Sequence, residues 1–172
     1  MENRYIKIWK DICSIHLMTK HYMLIAEEMS FDSNTFLQPI KEHRDAYDHI
    51  IRVYSSKMNM RQDIDIPPDY EEKNMSKALG HEYRAFFDVA DWLSIVCRER
   101  INYNLDGKTR NQIIEKYPQY DEAKAFLVDL PSSIAEMREQ KDMGSGLLPS
   151  VENYRQVLDQ LIEYCREIQM IF

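Results

Sequence analysis

Glycine and proline are scarce in this chain, with four Gly and six Pro among 172 residues. An all-β fold of this size needs many tight turns, and these two residues build most of them, so their scarcity argues against that class. Cysteine is equally sparse. Cys13, Cys97 and Cys165 are odd in number and far apart, and no CxxC pair is present. Neither a disulfide framework nor a zinc ribbon follows from such spacing. No run of about 18 apolar residues occurs, which excludes a membrane-spanning helix by sequence. Basic charge is in deficit: the formal net charge is -7 and the pI about 5.3. Broad sequence-independent binding of DNA or RNA relies on basic surface and is not expected. A small RNA-cutting site is not excluded by net charge. The opening stretch, MENRYIKIWKDICSIHLMTKHYM, interrupts its apolar residues with Lys, Asp and His and carries no cleavage site, so no signal peptide is expected and the default address is cytoplasmic.

What the chain does have is apolar residues at helical spacing. Hydrophobic residues make up 44% of it, enough for a core. From about residue 3 to 29, Tyr5, Ile8, Ile12, Ile15, Tyr22, Ala26 and Met29 recur in three- and four-residue steps, with Thr19 interrupting the stripe. A cap-rich break, SFDSNTFLQP, precedes a second segment that starts near Pro39 and runs to about Met60. Its stripe is Leu37, Ile40, Tyr47, Ile51, Tyr54 and Met58, with Arg44 in the same register. The break RQDIDIPPDY contains Pro67 and Pro68, which cannot both sit inside a helix. Segment three, about residues 69–103, carries Leu79, Tyr83, Phe86, Ala90, Leu93, Cys97 and Ile101 on one seam, broadened by Val89, Trp92 and Val96. It is the candidate central helix.

Asp106-Gly107 marks a turn, and Thr109 with Gln112 forms a capping-box pattern for a short helix to about Lys116. A fifth segment runs from about Asp121 to Asp142, with Pro131 either kinking or restarting it. After a loop with Gly144 and Gly146, residues 150–172 show a heptad: Val151, Tyr154, Leu158, Leu161, Cys165, Ile168 and Phe172. Together these predict an all-α fold, a single compact bundle of five or six helices spanning residues 1–172.

Motifs with known chemistry are mostly missing. The GKT at 107–109 lacks the first glycine of a phosphate-binding loop, since position 102 is Asn102, and it follows a helix rather than a strand. No Glu stands three residues before a His, so the di-metal pattern of ferritin-like bundles is absent. Asp45 with His49, or Asp88 with Asp91, lacks the repetition a metal site would need. No metal and no cofactor are expected. His16 reads as a structural histidine at the edge of an apolar face, and His21 as a solvated one.

The second segment carries the stretch EHRDAYDHIIRVY at 42–54. Successive helical residues turn by about 100°. Arg44 therefore falls within the apolar stripe, His43 on its margin, and His49 on the far side with Glu42, Asp45 and Arg52. A charge inside an apolar seam needs a partner. Arg44-Asp45-x3-His49 resembles the R-x4-6-H motif of HEPN-type helical domains, many of which are metal-independent ribonucleases acting as dimers. The resemblance covers residues 44–49. It implies His49 as the group acting on the 2′-hydroxyl or leaving oxygen and Arg44 as the phosphate ligand, with Asp45 as the polar residue after the arginine. Two features depart from the family: the motif lies in the second helix rather than a late one, and position 51 is Ile51 where one branch has Tyr.

Segment three adds a polar stripe of His81, Arg84, Asp88 and Asp91 on one face. Facing segment two, it would make a polar pocket with His49; facing water, a salt-bridged surface, which is the commoner fate of such a stripe. With no convincing catalytic set, an acidic surface and a Met- and aromatic-rich apolar complement, the leading expectation is an interaction or accessory module that binds a protein partner or itself. RNA is a partner only under the HEPN-type alternative.

Overall fold

The computed structural model describes residues 2–31, 35–58, 60, 66–142 and 147–172. Six helices make up the fold: α1 (Glu2–Met29), α2 (Leu37–Lys57), α3 (Tyr70–Leu105), α4 (Arg110–Lys116), α5 (Tyr120–Asp142) and α6 (Leu147–Ile171). No strand occurs among the described residues. The expected all-α bundle of five or six helices is the observed class. No helix is long and apolar enough to cross a membrane among the described residues. Residues 32–34 and 61–65, within the two expected breaks, and the Gly144–Gly146 loop lie outside the described residues.

The chain forms two compact units. The first consists of Met1–Ile25 with Asn34–Val89, the second of Ala26–Ser33 with Ala90–Phe172. In the first unit, Ile12, Ile15 and Tyr22 of α1 are buried as their spacing predicts. Thr19, which breaks that stripe by polarity, is also fully buried. Its hydroxyl donates to the Ile15 carbonyl at 2.8 Å, so the polar group is satisfied within its own helix and the stripe stays continuous. A core cluster joins Ile12 of α1, Ala46 and Val53 of α2, and Met75 and Ala78 of α3.

The second unit is organised by α6. Val151, Tyr154, Leu158, Leu161, Cys165 and Ile168 are all buried, as the heptad requires. α5 packs on α6, and the short α4 on α5. The capping box at Thr109 and Gln112 closes the start of α4, and Gly107 has φ of 69°, the left-handed value for which glycine suits that turn. Pro131 lies inside a helix that runs unbroken from 120 to 142. Tyr117 donates to Glu167 at 2.6 Å, tying the end of α4 to α6.

Helix α2 departs from the sequence expectation in one important way. Its apolar stripe was expected in the core. The buried line of α2 is instead Pro39, Ala46 and Val53, at seven-residue steps. The large apolar residues Leu37, Ile40, Tyr47, Ile51, Tyr54 and Met58 are between 42% and 67% exposed. A helical wheel groups residues correctly but does not say which group turns inward. Here the small residues permit close approach to α1 and α3, and the bulky ones are left outside.

Candidate functional site

Three features of the first unit meet around α2: a polar cluster against α3, a histidine–glutamate cluster in a cavity bordered by α1, and the exposed apolar face.

The polar cluster forms because Glu42 and His49, two turns apart on α2, both face α3. Glu42 Oε2 accepts from Arg84 Nε at 2.8 Å and lies 2.8 Å from His81 Nδ1. That same His81 nitrogen is 2.6 Å from Arg84 Nη2. A neutral imidazole nitrogen can donate to the carboxylate or accept from the guanidinium, not both at once. Burial disfavours the charged Glu42, but hydrogen bonds from His81 and Arg84 outweigh it and hold the carboxyl below its ordinary range. His49 Nδ1 is 2.8 Å from Asn74 Oδ1, and its ring stacks on that of His81 with centroids 5.4 Å apart. Asn74 in turn donates to the Tyr70 carbonyl, which orients its amide.

Of the sequence-predicted residues, the structure therefore brings His49, His81 and Arg84 together, with Glu42 as the joining acid. His49 does not point into solvent opposite the bundle; it faces α3. Arg44 needs no buried partner, because its side chain is 71% exposed and pairs with Asp45 at 2.7 Å. That guanidinium is the main reason the Asp45 carboxyl sits below its ordinary range, with the His81 and His49 rings adding to it. Asp91 belongs to the second unit and accepts from Tyr154 there.

The second cluster was not legible in the sequence. His16 of α1, His43 of α2 and Glu82 of α3 place one ligand-type atom each within 4.8 Å of the others. Both Nδ1 atoms approach the same oxygen: His16 lies 3.2 Å and His43 3.1 Å from Glu82 Oε2. The two rings are 4.5 Å apart between centroids. Glu82 is almost wholly buried, its side chain 4% exposed. Among the described residues no lysine or arginine pairs with it. His43 Nδ1 is buried and makes no hydrogen bond among the described residues, despite its proximity to the carboxylate. The cluster borders a cavity of about 330 Å³ walled by Trp9, Leu17, Tyr47 and Ile50, with the exposed thiol of Cys13 at its edge. The sequence hints were His16 at the edge of the α1 apolar face and His43 on the margin of the α2 stripe, while no local motif marks Glu82 on α3.

The third feature is the exposed face itself. Residues 37, 40, 44, 47, 51, 54 and 58 alternate steps of three and four, the a/d spacing of a coiled coil over three heptads. Arg44 occupies one of the a positions. Trp9 and Leu17 of α1 are also exposed beside it.

No family model matches this sequence, and no curated protein or solved structure does either.

Proposed function

We propose that this protein is an interaction module that works through the outward face of α2, and that the occupant of that face is a second copy of the chain. One observation carries the reading: a three-heptad a/d stripe whose six apolar members are all at least 42% exposed. Exposed large apolar residues scattered singly are ordinary, whereas a contiguous stripe at helix-pairing spacing marks a contact surface. The stripe sits on a helix already folded against α1 and α3, so pairing does not have to meet the cost of forming the helix.

The sequence of the stripe suits its own antiparallel copy. With Arg44 of one copy opposite Tyr47 of the other, Ile40 meets Ile51 and Leu37 meets Tyr54. The single charge of the seam then lies against an aromatic face, a favourable cation–π pairing made twice. Lys41 and Asp48, at flanking e positions, come to opposite charges across the axis. A polar residue at one a position also limits register, because a pairing shifted to set Arg44 against Ile40 would bury the charge on an aliphatic side chain, leaving Tyr47 and Tyr54 as its aromatic partners. Oligomeric mass tests this reading: the native chain is expected as a dimer and Ile51→Glu as a monomer.

A dimer is also what the HEPN-type alternative requires, and one observation favours keeping it as a second reading. The stacked His49 and His81, with Arg84 and Glu42 beside them, form a group able to move a proton. This reading requires RNA cleavage in the presence of a chelator that His49→Ala abolishes. Intact RNA after incubation with the native protein discards it.

A further inference from the structure

We infer that His16, His43 and Glu82 form a binding site for one divalent first-row transition-metal ion of the zinc–iron class. Two imidazole nitrogens and one carboxylate oxygen, from three different helices, lie within 4.8 Å of one another at the edge of a cavity. Donor type is the first argument. Imidazole with carboxylate suits zinc and ferrous iron, whereas calcium and magnesium take oxygen-rich shells.

Distance is the second argument. Two donors each about 2.1 Å from a common ion stand about 3.0 Å apart at a right angle and about 3.4 Å apart at the tetrahedral angle. The two observed nitrogen–oxygen edges, 3.2 Å and 3.1 Å, fall between those limits. A hydrogen bond could give similar lengths, but only if the N–H pointed at the oxygen. His16 Nδ1 meets that condition at 3.3 Å from Oε1 and 3.2 Å from Oε2, whereas His43 Nδ1 makes no such bond although it is buried and 3.1 Å from Oε2. A buried ring nitrogen without a hydrogen bond beside a buried carboxylate is an arrangement that a shared cation satisfies.

Charge is the third. Glu82 is buried, and its ion-pair partners among the described residues are the His16 and His43 rings, which offset its charge only when protonated, whereas a divalent ion shared by all three would offset it outright. His49, six residues beyond His43 on α2, and His81, next to Glu82 on α3, have their own partners in Asn74 and Glu42 and are not part of the set. Three protein ligands leave a coordination position, and the cavity lined by Trp9 and Tyr47 adjoins it. A water or a small anion fits that position, as in sites with an open place rather than closed structural ones.

Calorimetry of the chelator-treated, untagged full chain with Zn²⁺, and absorption spectroscopy with Co²⁺, test the site. The expected result is one ion per chain, with Co²⁺ ligand-field bands in the visible. His16→Ala removes a half-exposed side chain, at 46%, and is expected to leave the helix content unchanged while weakening affinity at least about 10-fold. His81→Ala, the neighbouring histidine outside the set, is expected to bind as the native chain does. Glu82→Gln is expected to bind weakly if it folds; the exposed His16 variant carries the test if it does not. The inference is overturned by the absence of saturable Zn²⁺ and Co²⁺ binding, by native affinity in His16→Ala, or by loss of binding in His81→Ala alone.

Discussion

Arg44 and Ala46 stand two residues apart on α2 and on opposite sides of it: Ala46 is fully buried and the Arg44 side chain is 71% exposed. Two helical steps of about 100° bring a side chain nearly to the far side of the helix, so one residue fixes where the other must lie. Ala46 sits in the cluster of Ile12, Val53, Met75 and Ala78, and the whole apolar stripe that contains Arg44 consequently faces outward.

That orientation predicts an inverted pattern of mutational cost. Ala46→Leu inserts volume into the packed cluster of Ile12, Val53, Met75 and Ala78 and is expected to destabilise the fold by about 1–3 kcal/mol. Arg44→Ala removes only an exposed ion pair and is expected to stay within about 0.5 kcal/mol of the native value. Urea unfolding, followed by circular dichroism under conditions where the chain is monomeric, compares the two. Equal costs, or a larger cost for Arg44→Ala, would mean that α2 is rotated the other way.

The antiparallel register makes a separate prediction. In a chain carrying Ile40→Cys and Ile51→Cys, with the exposed Cys13 replaced by Ser, mild oxidation is expected to give a covalent dimer. Either cysteine alone is expected to leave most of the chain monomeric on a denaturing gel. A parallel pairing gives the reverse, with Ile40→Cys cross-linking to itself.

Metal binding should register in stability as well as in heat. A ligand that binds only the folded state at about 100 times its dissociation constant adds about 2.7 kcal/mol. Thermal scans with Zn²⁺ are expected to move the first transition up by roughly 5–10 °C, with the shift removed by His16→Ala. An unchanged transition in the native chain would stand against the site even if calorimetry gave heat.

Raised tyrosine phenols bear on stability at alkaline pH. Burial raises the Tyr83 phenol to about 12, helped by the negative charge of Asp11. Burial, and then the hydrogen bond to Glu167, raises Tyr117 further. Each is an acid whose folded value lies above its unfolded one of about 10. The unfolded chain therefore loses these protons first, and the stability they carry is complete below about pH 10 and falls as pH rises towards 12. Tyr83→Phe is expected to shift the midpoint of alkaline unfolding upward, read by circular dichroism against pH. An unchanged midpoint would show that other groups set it.

The helices themselves were legible because period and burial agree where a helix has one wet side. The stripes of α1 and α6 are buried along their middles, with Tyr5, Ile8, Met29 and Phe172 at their ends half-buried, and Thr19 fits because its hydroxyl is satisfied one turn back along the helix. On α2 the same reasoning fails at the last step. The helix has two ordered lines, the bulky stripe and the small set Pro39, Ala46 and Val53, and hydrophobicity alone favours burying the first. Close helix approach favoured the second. The charge of Arg44 in mid-stripe was the available sign that this face is not core. The meeting of His49 with His81 depended on the rotation of α2 against α3, which no local pattern contains. His16, His43 and Glu82 come from three helices, and only tertiary packing makes them neighbours.

Sedimentation equilibrium of the native chain and of Ile51→Glu tests the central claim most directly. Ile51 is one of the two central apolar residues of the exposed stripe, and a carboxylate there removes apolar burial and adds charge twice per dimer. The native protein is expected to sediment at twice the chain mass of 20.6 kDa, and the variant as a folded monomer, with dissociation strengthened at least about 30-fold, or about 2 kcal/mol. A native chain that stays monomeric at its highest soluble concentration, or an Ile51→Glu chain that dimerises as tightly as the native one, would contradict the account.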